Sequence, residues 1–147
     1  MEHKLKTAAV ACAVLSLALF SVGAVKAPWP GLPPITQSDA YKEFLKQPPS
    51  NLAKGICILN YFRNTPVVVQ YDGIEYPALI AYPIGLAYLL THYHDEDPAT
   101  WIKRNCYRTL VQKNIIYLKF PDGSYSAARD VFLEKLDELE KAIPTKS

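Results

Sequence analysis

Downstream of residue 37 the apolar positions follow two rhythms. Tyr41, Phe44 and Leu45, then Leu52, Ile56 and Leu59, then Leu86, Leu89, Leu90 and Tyr93 recur at steps of about three and four, which gathers side chains on one side of a helix. Residues 66–71 and 74–80 are instead short runs rich in β-branched and aromatic residues, split by Asp72-Gly73. An Asp-Gly pair suits the two-residue type I′ turn, whose central positions both need positive φ, so these runs predict a β-hairpin. Pro77 has no amide N–H to give to a ladder, which assigns the second strand to an edge or to a bulge.

Capping residues set the remaining bounds. Ser38 is the expected N-cap of a first helix over 39–46, stopped by Pro48-Pro49, and a second helix follows Ser50. Pro83 is expected in the first turn of a third helix. Asp97 and Pro98 open a fourth, running to about residue 113 with Ile102, Cys106 and Leu110 inward. Residues 115–120 read as a strand, Pro121-Asp122-Gly123 as a turn, and Ser124 or Ser126 as the cap of a last helix. Together these predict an α+β fold, about five helices packed on a small three-stranded sheet containing the β-hairpin.

The first 37 residues follow neither rhythm. Residues 1–24 combine a basic start (His3, Lys4, Lys6), an apolar run from Ala8 to Phe20 and then small residues, the pattern of a secretory signal. Cleavage is expected after Ala24; a cut after Ala27 also has small residues before it but would leave Pro28 next. The apolar run spans 13 residues, short of the about 20 that a spanning helix needs, so no stable membrane insertion is expected once the signal is removed. Residues 25–37 form a proline-rich extended arm and residues 38–147 a single domain.

Export to a periplasm or to the outside implies oxidising surroundings, and the exported part keeps two cysteines, Cys57 and Cys106. They are expected to pair as one inter-helix disulfide, which the chain-entropy model values at about 4 kcal/mol for a loop of about 50 residues.

Charge and motifs narrow the function mainly by exclusion. The chain carries a formal charge of +2, and three of its lysines lie before residue 28, so it is not a generally basic nucleic-acid binder. Neither a Gly-rich phosphate loop nor a Gly-x-Ser-x-Gly turn occurs, so no cofactor is expected and no catalytic residue is assigned. All ten tyrosines lie beyond the leader, and tyrosine supplies large contact area at low entropic cost on binding surfaces. Tyr71 and Tyr76 flank the Asp-Gly turn and are expected, with Glu75, to form a protruding aromatic and acidic tip. Lys103, Arg104 and Arg108 are expected along the fourth helix as a basic face for an acidic partner.

These features predict an exported small binding protein acting on another protein, such as an inhibitor, an immunity protein or an envelope-assembly adaptor. Two alternatives stand beside it. His92, His94 and Asp95 carry metal-ligating groups suited to a small metal-assisted or acid–base hydrolase, although residues two apart on a helix diverge, so both histidines reach one ion only if the helix ends between them. Exposed tyrosines would serve a carbohydrate-binding module by stacking on sugar rings.

Overall fold

The computed structural model describes residues 29–145, so the predicted signal and its cleavage positions lie outside the described residues. Five helices and four strands follow in the order α1 (Asp39–Phe44), α2 (Asn51–Arg63), β1 (Val68–Tyr71), β2 (Ile74–Pro77), α3 (Ala78–His92), α4 (Pro98–Asn105), β3 (Tyr117–Lys119), β4 (Tyr125–Ala127) and α5 (Ala128–Ala142). The predicted caps do their work: Ser38, Ser50 and Asp97 accept side-chain hydrogen bonds from the amides of Tyr41, Ala53 and Thr100.

The sheet is antiparallel with strand order β2-β1-β3-β4. Its first hairpin closes as expected. Tyr71 pairs with Ile74 across Asp72 (φ 49°) and Gly73 (φ 79°), both left-handed as a type I′ turn demands. Pro77 ends β2, which is an edge strand, so its missing N–H is harmless.

The expected three strands are corrected to four. Residues 124–126, read from the sequence as a helix cap, instead lead into β4, which pairs with β3 from Tyr117↔Ala127 to Lys119↔Tyr125. A strand three residues long shows no alternation to recognise. The turn that makes it is local: Phe120 N–H bonds the Ser124 carbonyl at 2.9 Å and Gly123 takes φ 85°.

Two helices also differ from expectation. α3 starts at Ala78 and keeps Pro83 in its interior. The β-branched and aromatic run through residue 80 reads as strand, yet the Ala78 N–H bonds the Val67 carbonyl (3.1 Å) and the chain turns directly from ladder into helix. α4 ends at Asn105, not near 113. The chain then forms a loop, with Lys113 at φ 60°, that returns through an Arg108↔Ile115 bridge toward β3.

The disulfide is absent: Cys57 and Cys106 are both free. Helical phase explains it. α2 and α4 do touch, but α2 turns Gly55 and Leu59 toward α3, and Cys57, two residues from each, points about 200° away from both. Its thiol lies toward α1, with Sγ 3.6 Å from the Ala40 carbonyl oxygen. Cys106 sits on the other side, at the C-cap of α4 beneath α3.

The core gathers between the inner sheet face and α2, α4 and α5, with Leu89 of α3 packed into it; Ile58, Leu89, Leu118, Val131 and Leu139 are almost fully buried. The proline-rich arm docks on it. Leu32 and Ile35 are buried, and the Pro33 carbonyl accepts hydrogen bonds from Tyr61 Oη (2.5 Å) and from Lys135 Nζ (3.1 Å), itself buried beside Glu138. Gly31, at φ 73°, is needed where the arm crosses Pro66 and Pro121, since a Cβ there would lie 2.9 Å from both rings.

Candidate functional site

α3 lies over the sheet on a face made of small residues. Ala78 and Ala81 turn toward β1 and β3, where larger side chains would have filled the gap to Val69, Ile116 and Leu118, and Gly85 faces Leu59 of α2 at the side of the same gap. The space stays open as a cavity of about 440 Å³. Phe62 of α2, Trp101 of α4 and Phe132 of α5 close its sides. This is within the size range of about 300–1,000 Å³ typical of small-molecule sites, which are likewise mostly apolar with a few polar groups.

The cavity reaches solvent. Ile84 and Leu110 both line it and are 68% and 57% exposed, so they mark its mouth. A sealed apolar void costs about 24 cal/mol per Å³. At 440 Å³ that amounts to about 10 kcal/mol, as much as the whole stability of a typical domain. A space this large is sustainable only when open and filled, by water or by an occupant.

Polar groups are sparse and mostly engaged with one another. Tyr82 Oη donates to Asn60 Oδ1 (2.5 Å), Tyr88 Oη donates to Asn105 Oδ1 (3.3 Å), and Tyr71 Oη accepts the Leu110 N–H (3.0 Å). Trp101 is an exception, 6% exposed with its indole N–H unpartnered among the described residues. Among the described residues no carboxylate lines the cavity, and the two charged residues that do are both arginines, Arg63 and Arg108. Arg63 lies over the Tyr82 ring, 5.0 Å from its centroid; Arg108 donates to the Lys113 carbonyl oxygen (2.9 Å) and lies over Tyr107.

The cysteines add no nucleophile. Burial pushes both thiols up to about 12, so each stays protonated near neutrality, and Cys106 serves as cavity wall.

Three of the binding residues named from sequence meet at this cavity: Tyr71, Tyr76 and Arg108. The tyrosines do not form an exposed tip. Val69, Tyr71 and Tyr76 share the inner sheet face because Val69 pairs with Tyr76, and both rings are half-buried. Glu75 points to the outer face, where Lys119 (3.1 Å) and Tyr125 Oη (3.0 Å) donate to its Oε1 and hold its carboxyl below the usual range. Arg104 is bound to Glu96 by two parallel hydrogen bonds, and Lys103 is exposed on α4.

No family model, no curated protein and no solved structure matches the chain.

The two alternative sites can be placed as well. α3 ends at His92 and Tyr93 is extended, so the backbone condition for joining His92 with His94 is met. The His92 ring nonetheless turns back onto Tyr88, with centroids 4.1 Å apart, and its Nδ1 lies 2.8 Å from Thr91 Oγ1. His94 and Asp95 are exposed, and among the described residues no group of three or more His, Cys, Asp or Glu is placed to hold a metal ion. On the outer sheet face Tyr117 and Tyr125 meet edge to face at 85°, which gives no flat platform for a sugar.

Arg63, Trp101 and the small residues of α3 went unremarked in the sequence. One signal was there to read: α3 is apolar around most of its circumference, with small residues at 78, 81 and 85.

Proposed function

We propose that this protein is a binding protein for a small, largely apolar molecule held between α3 and the sheet, with no reaction of its own. The observation that carries the reading is the cavity of about 440 Å³, too large to be a packing defect and opening between Ile84 and Leu110. The test is titration of the purified chain with the neutral fluorophore N-phenyl-1-naphthylamine. Saturable binding at one site is expected, and Ala81→Trp or Val69→Phe, each filling the space from a different wall, should abolish it while leaving the circular dichroism spectrum unchanged. Absence of saturable binding, or binding indifferent to both substitutions in a folded chain, overturns the proposal.

A second reading, recognition of another protein by an exported chain, is favoured by α3's outer side. Leu79, Ile80, Ile84 and Leu90 are each more than half exposed there, and an apolar surface of that kind marks interaction sites.

A further inference from the structure

The charge pattern of the cavity narrows its occupant. Arg63 and Arg108 stand at opposite ends: Arg63 beside Tyr82, near where the Val67 carbonyl receives the Ala78 N–H, and Arg108 near Leu110 and Tyr71 at the turn end of β1. The four-residue step from Val67 to Tyr71 separates these ends by about 13 Å. Between them the lining is mostly apolar, and among the described residues it offers no negative charge. Both guanidiniums lie 5.0 Å over a tyrosine ring, Arg63 over Tyr82 and Arg108 over Tyr107, but Arg108 is also held by its bond to the Lys113 carbonyl oxygen and sits at the mouth beside exposed Leu110, with further donors unengaged among the described residues. Tyr71 Oη accepts from Leu110 and donates to nothing among the described residues, so its proton is available at the same end. The carboxylate of Asp72, next in sequence to Tyr71, is occupied by Thr109 and Asn114 and does not line the cavity.

Resting on the binding-protein reading, we infer that the occupant is a single-chain anionic amphiphile, its apolar chain inside the cavity and its oxyanion head at the mouth with Arg108 and the Tyr71 hydroxyl. A guanidinium matches carboxylate and phosphate alike, so fatty acids and lysophospholipids share the required chemistry.

Displacement of N-phenyl-1-naphthylamine separates the cases. Dodecanoate, lysophosphatidic acid, dodecanol and dodecylamine are titrated against the wild-type chain and against Arg108→Gln, Arg108→Lys and Arg63→Gln. An anionic amphiphile is expected to displace the fluorophore at least tenfold more tightly than dodecanol, and dodecylamine to be the weakest. Whichever of dodecanoate and lysophosphatidic acid binds more tightly identifies the head. Arg108→Gln should cost that ligand about tenfold or more and leave dodecanol unchanged. Arg108→Lys should recover part of the loss, and Arg63→Gln should change affinity less than threefold. Equal binding of alcohol and anions, or loss with Arg63→Gln in place of Arg108→Gln, overturns the inference while cavity binding stands. Failure of the fluorophore itself to bind is the separate failure of the binding-protein reading.

Discussion

Asp72 reaches across to Thr109: Thr109 Oγ1 donates to Asp72 Oδ1 at 2.7 Å, joining the β1–β2 turn to the loop after α4. The same carboxylate oxygen accepts from Asn114 Nδ2 at 3.0 Å, and Thr109 is 1% exposed. Because Arg108 and Leu110 flank Thr109, this contact fixes one edge of the cavity mouth.

Asp72→Ala should therefore act twice. Loss of a charged acceptor from a buried hydroxyl is expected to lower stability by about 1–3 kcal/mol, read as a shift in urea midpoint. Apolar-probe affinity should fall too, although Asp72 does not line the cavity. Asp72→Asn, which keeps an acceptor and tolerates positive φ, should recover most of both. Unchanged probe affinity in Asp72→Ala would separate the loop from the site.

Pro83 lies in the interior of α3 on an exposed position, where it cannot donate to the Leu79 carbonyl one turn earlier. An interior proline costs a helix about 3 kcal/mol relative to alanine. Pro83→Ala is expected to raise stability by about 1–2 kcal/mol, since some of that cost is already relaxed by solvent at the exposed Leu79. Thermal denaturation checks it, and a lowered midpoint would show that the proline is needed for α3 to pack as it does.

Alkaline conditions should destabilise the fold. Burial raises the thiols of Cys57 and Cys106 from about 9 to about 12, and raises Tyr61 through burial and the neighbouring Glu138. At pH values below the unfolded-chain pKa, folded and unfolded chains both keep these protons and the stabilising contribution is whole. Above about pH 9 the unfolded chain releases thiol protons that the folded chain retains, so stability declines as pH rises toward 12. Urea titrations across this range should show falling midpoints, with a shallower fall in Cys57→Ala. Iodoacetamide at neutral pH should label the native chain far more slowly than the urea-unfolded chain.

How much of this was legible follows from the range of each interaction. Asp72-Gly73, Ser38, Ser50 and the Asp97-Pro98 pair are local signals, and each marks the element boundary expected of it. The fourth strand escaped because three residues carry no period and its partner, β3, supplies the order. The disulfide expectation failed on rotation about a helix axis, which spacing along a chain does not constrain when the partner helix is unknown. The site was half-visible. Tyr71, Tyr76 and Arg108 stood out as residue types, but their convergence on one cavity depends on strand register and on α3 folding back over the sheet, both long-range outcomes.

The grip of Tyr61 and Lys135 on the Pro33 carbonyl sets where an autonomous unit must begin. A polypeptide trimmed to residue 38, the start that helical periodicity suggests, would strip away Leu32 and Ile35 and leave an ammonium at 4% exposure with one hydrogen-bonding partner fewer. The arm is thus a wedge of the core and not a tether. Recombinant boundaries for binding or crystallisation work belong upstream of Trp29, whose ring stacks on Phe120 at 5.3 Å.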